Sequence, residues 1–243
     1  MKRLILLIVL TIGLNANIRV AAASNITYAM DELKEAFLKS HPNSKISITI
    51  GSSGNLRAQI EHGAPFDIFL SANVTYAKAL VDKGLAKSNA IIYAKGALIL
   101  YTSKSLNLKE GLKILTSKDV SKIAIANPKT APYGKAAKEV LINSKLYDRV
   151  KDKLIYAQNI SQTLIYTLRA CDVGFIAKSA LFSKELKGAK ESINYIDIPK
   201  NLYKPISQAM VLIRETKEAK EFFNFLQSKE AKEIFKKYGY ISD

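Results

Sequence analysis

Two short stretches decide how this chain folds: Ala21-Ala22-Ala23-Ser24-Asn25 and Gly51-Ser52-Ser53-Gly54-Asn55. Each follows an apolar run of strand character and precedes an amphipathic run of helical spacing. That order predicts Ser24 and Ser53 at strand ends, beside the first turn of a helix. Backbone N–H groups without intrahelical partners and the positive end of the helix dipole collect at such places. Two tips of this kind can hold one small anion. Either serine alone has an ordinary explanation as an N-cap, worth about 1 kcal/mol. Their joint appearance, with Gly51 and Gly54 allowing close backbone approach, favours a site.

Outward from these tips the same alternation continues. Strands are predicted at 17–22, 46–50 and 66–70, with helices at 28–40, 55–62 and 74–83 between and after them. Met30, Leu33 and Phe37 recur at helical spacing, and Gly84 suits a helix C-terminus. A second stretch repeats the logic: strands at 97–101, 123–126, 154–157 and 173–177, helical patterns at 108–115, 134–142 and 161–171. A strand pair at 193–198 and 209–213 leads into helices at 217–227 and 229–238. Strand–helix alternation over the whole chain predicts an α/β fold with mainly parallel sheets. Two separate sets of strand-to-helix tips predict two lobes, with ligand held in the cleft where carboxyl ends of strands face each other.

The remaining composition narrows the function. Lys2-Arg3, followed by an apolar stretch of about 11 residues and Leu14-Asn15-Ala16, reads as a signal peptide over 1–16. It is too short for a membrane span, which needs about 20 apolar residues. Secretion is therefore expected, with Asn17 first in the mature chain. No cysteine follows the signal, which argues against lipidation there, and the one cysteine, Cys171, falls in a helical pattern as a small core residue. The net charge of +16 and pI near 9.7 suit an anionic partner. Yet the lysines alternate with glutamates on helical faces, as in Lys217-Glu218-Ala219-Lys220-Glu221, and no nucleic-acid motif occurs. No nucleic-acid partner is expected.

Two further junctions carry the pattern into the second stretch. Asn127-Pro128-Lys129-Thr130-Ala131-Pro132-Tyr133-Gly134 follows a strand and opens a helix, leaving the Tyr133 N–H free. Gln158-Asn159-Ile160-Ser161 does the same, with Asn159 or Ser161 equally suited to capping. Catalytic patterns are poor. His41 and His62 fall at helix ends, and no Gly-x-Ser-x-Gly, Ser-x-x-Lys, His-Glu-x-x-His or P-loop sequence occurs. Cysteine, histidine and carboxylates do not cluster as metal ligands, and a serine nucleophile lacks a nearby base. The chain therefore reads as a binding protein and not as an enzyme, with a serine hydrolase the rival of a different class.

These residues resemble the periplasmic molybdate-binding proteins of ATP-driven uptake systems. The matching segments are Val20-Ala-Ala-Ala-Ser24; Ser52-Ser53-Gly54-Asn55-Leu56 with Gln59-Ile60-Glu61-x-Gly63-Ala64-Pro65-x-Asp67-Ile68-Phe69-x-Ser71-Ala72; Asn127-Pro128 with Pro132-x-Gly134-x-x-Ala137; and Ala231-x-x-Ile234-Phe235-x-x-Tyr238-Gly239. The run from Gln59 to Ala72 is the most specific. The resemblance implies a type II periplasmic-binding-protein fold, its lobes joined by strands that cross twice: 17–97 plus 208–243 as lobe I, 98–207 as lobe II. It implies a tetrahedral oxyanion, molybdate or tungstate, bound by Ser24, Ser53 and the N–H groups of Tyr133 and Ile160. The molybdenum or tungsten comes as the oxyanion with no direct protein ligand to the metal, and no cofactor is implied. A periplasmic monomer delivering its ligand to the permease and ATPase subunits of an ABC transporter follows from the same resemblance. One departure stands out. Some members place a tyrosine in the Gly-Ile-Val-Tyr-like strand of the second lobe, where this chain has Gly174-Phe175-Ile176-Ala177. Another branch uses an asparagine after the first hydroxyl residue and a tyrosine at the second-lobe turn, matching Asn25 and Tyr133. One of these two is expected to replace the missing donor. Sulfate or phosphate on the same fold is the alternative ligand, and an acceptor carboxylate, which phosphate would favour, is absent from the four tips. Asp67, close by in sequence, reads as a structural acceptor at a strand start.

Overall fold

In the computed structural model, which describes residues 17–241, two five-stranded sheets lie in separate lobes. The expected signal peptide at 1–16 lies outside the described residues. The first sheet is built from β1 (Asn17–Ala23), β2 (Lys45–Gly51), β3 (Ile68–Ser71) and β4 (Ile91–Gly96), joined by a late strand, and runs in the order β2-β1-β3-β10-β4. The second holds β5 (Leu98–Tyr101), β6 (Ile123–Ala126), β7 (Leu154–Ala157), β8 (Val173–Ala177) and β9 (Tyr195–Asp197), in the order β7-β6-β8-β5-β9. The chain then returns to the first sheet as β10 (Ile206–Leu212).

The two sheets share one plan. β1 pairs in parallel with β2 and β3, while β10 is antiparallel to both β3 and β4. β6 pairs in parallel with β7 and β8, while β5 is antiparallel to β8 and β9. Four strands of each sheet therefore run one way and a single strand runs against them. In both cases the reversed strand is the one that has just crossed from the other lobe. The first crossing is Gly96-Ala97 between β4 and β5; the second leads from 198 into β10. Pairing of Ile206 with Gly96 brings β10 into the first sheet two residues before the expected boundary at 208.

Sequence explains why these strands take central places. Ile18, Val20, Ala21, Ala22 and Ala23 are all buried, as a strand covered on both faces requires. One face of the first sheet packs against α1 (Thr27–Ser40) and the late helices α7 (Lys217–Phe225) and α8 (Lys229–Lys237), through Met30, Leu33, Phe37, Phe222 and Phe235. The other face packs against α2 (Ser53–Glu61) and α3 (Val74–Asp82) through Leu56, Ile60, Phe69 and Leu80. In the second lobe, α4 (Pro132–Asn143), with the short α5 (Tyr147–Val150) after it, covers one face through Val140 and Leu141. α6 (Ile160–Arg169) covers the other, with Leu164 against Ile99 and Ile176.

Three expectations change. The helical pattern at 108–115 is a pair of 3-10 turns over Leu108–Thr116, broken at Gly111, whose φ of 60° and ψ of −142° no helix accommodates; Leu108, Ile114 and Leu115 are buried all the same. Cys171 is buried but lies just past α6, not within it. β4 was not expected at all: it is an edge strand whose Ile92 is 53% exposed, so its apolar residues do not alternate cleanly. His41 and His62 do fall at helix C-termini, following α1 and α2.

Candidate functional site

The carboxyl ends of β1, β2 and β3 meet those of β6 and β7 across the cleft between the lobes. One small cavity lies there, lined from lobe I by Ser24, Asn25, Ser52 and Ser53 with their neighbours, and from lobe II by Ala131, Pro132, Tyr133 and Ile160. All five residues picked from sequence, Ser24, Asn25, Ser53, Tyr133 and Ile160, thus share one wall. Its free volume is only about 10 Å³, space for the centre of about one water-sized sphere and far below the roughly 300–1,000 Å³ of pockets for drug-sized ligands, so it has room for nothing larger than a small ion. No charged side chain lines it.

The lobe I serines are not spent on capping. Ser53 is the first residue of α2, and its Oγ accepts from Ala72 N at 2.9 Å. A hydroxyl has one proton and two lone pairs, so this contact fixes the oxygen and leaves the proton to be given away. Ser24 opens the 3-10 turn Ser24–Ile26 ahead of α1, and its Oγ accepts from Ser161 N at 3.4 Å. Both serines are almost fully buried. Ser52 was missed by sequence reasoning: it is buried, lines the cavity and has an Oγ with no partner. The Gly51-Ser52-Ser53-Gly54 run was the available signal, but sequence alone does not say which of two adjacent serines faces inward.

Lobe II offers main chain instead of hydroxyls. Pro132 starts α4 with its preset φ and no N–H to lose, which leaves Tyr133 N–H in the unpaired first turn. Gly134 is needed here, because a Cβ would lie 2.0 Å from the Ala126 carbonyl oxygen. At the start of α6, Asn159 caps by accepting from Gln162 N at 2.9 Å. Ser161 Oγ donates across the cleft to Ser24 O at 2.8 Å. The Ile160 N–H, at the first position of α6, is used by neither contact.

Asn25 and Tyr133 divide differently from the sequence expectation. The Tyr133 hydroxyl packs against Gly96 at the first crossing and accepts from Gln208 Nε2 at 3.3 Å. Its phenol is held well above the usual pKa, chiefly by burial, with nearby tyrosines adding to the effect, so it stays neutral. Tyr240, which donates to Asn25 O at 2.6 Å, is likewise pushed up to about 12 by burial. Asn25 Nδ2 donates to Gln208 Oε1 at 2.8 Å. Ala177, where the resemblance places a tyrosine in some members, is buried opposite Leu98 and is not part of the cavity wall. Asp67 is the structural acceptor expected: it receives Arg19 N at 2.7 Å and the Arg19 guanidinium at 3.1 Å.

The lobes also touch directly. Gly54 N donates to Thr130 O at 2.9 Å, Tyr76 hydroxyl to Lys129 O at 3.1 Å, and Ser179 Oγ to Asn25 O at 2.9 Å. A Cβ on Gly54 would lie 3.0 Å from the Thr130 Cα and O, so glycine lets the two main chains meet.

Two lobes joined by crossing strands, closed on a small neutral cavity lined by helix starts, define a binding protein that captures a small solute between its lobes. Comparison with known proteins places it further. Residues 18–241 match the family model of the bacterial extracellular solute-binding proteins. The molybdate-binding protein ModA of Rhodobacter capsulatus is 35% identical, over 92% of this chain and 87% of that protein. A putative ABC transporter substrate-binding lipoprotein of Bacillus subtilis is 34% identical over 92% and 86%. The solved periplasmic molybdate-binding protein of Azotobacter vinelandii superposes with a TM-score of 0.85 at 30% identity, over 93% of this chain and 99% of that one. The chain belongs to the bacterial extracellular solute-binding proteins, among the molybdate-binding proteins, which are binding proteins and not enzymes.

Proposed function

We propose that this protein captures molybdate or tungstate outside the cytoplasm and hands it to an ABC transporter. The observation that carries the reading is the joining of Ser24, Asn25, Ser53, Tyr133 and Ile160, from both lobes, around one cavity with no charged wall. A dianion at several helix starts needs oriented donors more than a counter-charge. In this reading Ser24 and Ser53 give hydroxyl protons, Tyr133 and Ile160 give main-chain N–H groups, and Asn25 supplies the donor that Ala177 does not. Neutral donors also select, because an anion too small to reach all of them leaves buried donors unpaired, at about 1–3 kcal/mol each. No carboxylate lines the wall to accept a proton from hydrogen phosphate, which favours a fully deprotonated ligand over phosphate. Binding brings donors of both lobes onto one ion, so closure is driven by the difference in affinity between open and closed forms.

The finer expectations belong to the same proposal: residues 1–16 as a cleaved signal, periplasmic residence, a monomer, and docking on the permease and its ATPase without any cofactor. Calorimetric titration of the protein lacking residues 1–16 with molybdate, tungstate, sulfate and phosphate at one pH and salt concentration tests the reading. One-to-one binding of molybdate and tungstate, with sulfate and phosphate silent, is the expected result. Absence of heat with molybdate and tungstate, once prebound anion has been dialysed out, overturns it.

A further inference from the structure

Gln208 is fully buried on β10, where the pairing with β4 skips a residue: Gln208 lies opposite Ala94, and Ala209 opposite Ile92. Irregularities of this kind re-aim side chains. Here the amide reaches the junction of the lobes. Gln208 Oε1 accepts from Asn25 Nδ2 and from the Tyr93 hydroxyl, both at 2.8 Å, while Nε2 donates to the Tyr133 hydroxyl at 3.3 Å. Gln208 thus holds one wall residue from each lobe without lining the cavity itself. The other end of the Asn25 amide, Oδ1, is buried with no partner.

A deprotonated tetraoxoanion offers only acceptors. Facing it, an amide carbonyl repels and an amide NH2 group donates. Two amides joined end to end can turn over together, because their oxygen and nitrogen ends are nearly the same in size. After that reversal Gln208 Nε2 donates to Asn25 Oδ1, and Asn25 Nδ2 takes the unpartnered position. The Tyr133 hydroxyl then donates to Gln208 Oε1 and the Tyr93 hydroxyl has Ser71 O at 3.4 Å, while the Tyr240 hydroxyl gives up the 3.3 Å bond it accepts from Asn25 Nδ2 and keeps Asn25 O at 2.6 Å.

We propose that Gln208 is a positioning residue of the anion site, turning over with Asn25 so that Asn25 presents Nδ2 to a fully deprotonated oxyanion. The inference rests on the oxyanion-binding reading above. A double-mutant cycle tests it: Asn25→Ala, Gln208→Met and the two combined, each titrated with molybdate by calorimetry and each melted without ligand as a check of folding. Gln208→Met is expected to weaken molybdate binding about tenfold in the unsubstituted background, and to leave it within about twofold in the Asn25→Ala background. An equal loss in both backgrounds, or no loss in the first, overturns the proposal. Should Gln208→Met fail to fold, the uncharged Gln208→Leu enters the same cycle with the same two readings. Failure of the unsubstituted protein to bind molybdate would overturn the functional reading itself, so the two failures are distinct.

Discussion

The two lobes are alike at their bases and unlike at their tips. At the base of each sheet a buried aspartate precedes the middle strand, β3 or β8, and accepts from the strand beside it, β1, or from the segment leading into that strand, β6. Asp67 takes Arg19 N at 2.7 Å and returns its own N–H to Arg19 O at 2.8 Å. Asp172 takes Ser121 N and Lys122 N at 2.7 and 2.8 Å and gives its N–H to Lys122 O at 2.9 Å. At the top the resemblance ends: lobe I presents hydroxyls, and lobe II presents helix-start N–H groups under apolar side chains. A donor in lobe I can be deleted by changing a side chain, whereas a donor in lobe II can only be displaced by moving the main chain.

That difference can be broken in graded ways. The largest effect is expected from Gly134→Ala, whose Cβ would lie 2.0 Å from Ala126 O and 2.6 Å from its carbonyl carbon. The start of α4 must shift, which costs about 3 kcal/mol of stability and lowers molybdate affinity about 100-fold or more, measured by melting and calorimetry. Ser53→Ala deletes a lobe I donor without moving the chain. It should cost about 1–3 kcal/mol of binding, about 5- to 150-fold, and it also lowers the ligand-free melting temperature, because the buried Ala72 N–H loses the oxygen it donates to.

The shared base gives a pH prediction. Burial works to raise the Asp172 carboxyl, but hydrogen bonds from Lys104, Lys122 N and Ser121 outweigh it and hold the group below its ordinary value. A carboxyl lowered in the folded state adds stability that is fully present above about pH 4 and fades as pH falls below it. Melting temperature should therefore drop with acid, and Asp172→Asn should lack that part of the drop while losing about 1–3 kcal/mol at pH 7. Gly54→Ala puts a Cβ 3.0 Å from Thr130 and props the lobes apart, weakening molybdate binding about tenfold by calorimetry. Ile160→Val changes a wall side chain but no donor, so affinity should stay within about threefold; a loss as large as that of Ser53→Ala would mean that lobe II works through side chains after all.

Both lobes and most of their strands were legible because the buried runs are continuous and the helices between them carry a clear apolar face. The four tips were legible for a local reason: small or hydroxyl residues between a strand and a helix have few other uses. What escaped was set by tertiary contact. β4 is half exposed, so its pattern carries little signal. Ser52 cannot be told from Ser53 until α2 has a fixed rotation about its axis. Tyr133 lines the cavity, but the direction of its hydroxyl depends on Gly96, 37 positions earlier, making room. Gln208 lies in a strand that was only partly read and is aimed by an irregular pairing that no single segment encodes.

The contact between Gly54 and Thr130 has one more consequence. It is main chain against main chain, so it acts as a travel limit, stiff where a meeting of flexible side chains would yield. In the proposed reading, that stop sets how far the lobes can close, and so the width of oxyanion the cavity can take between them.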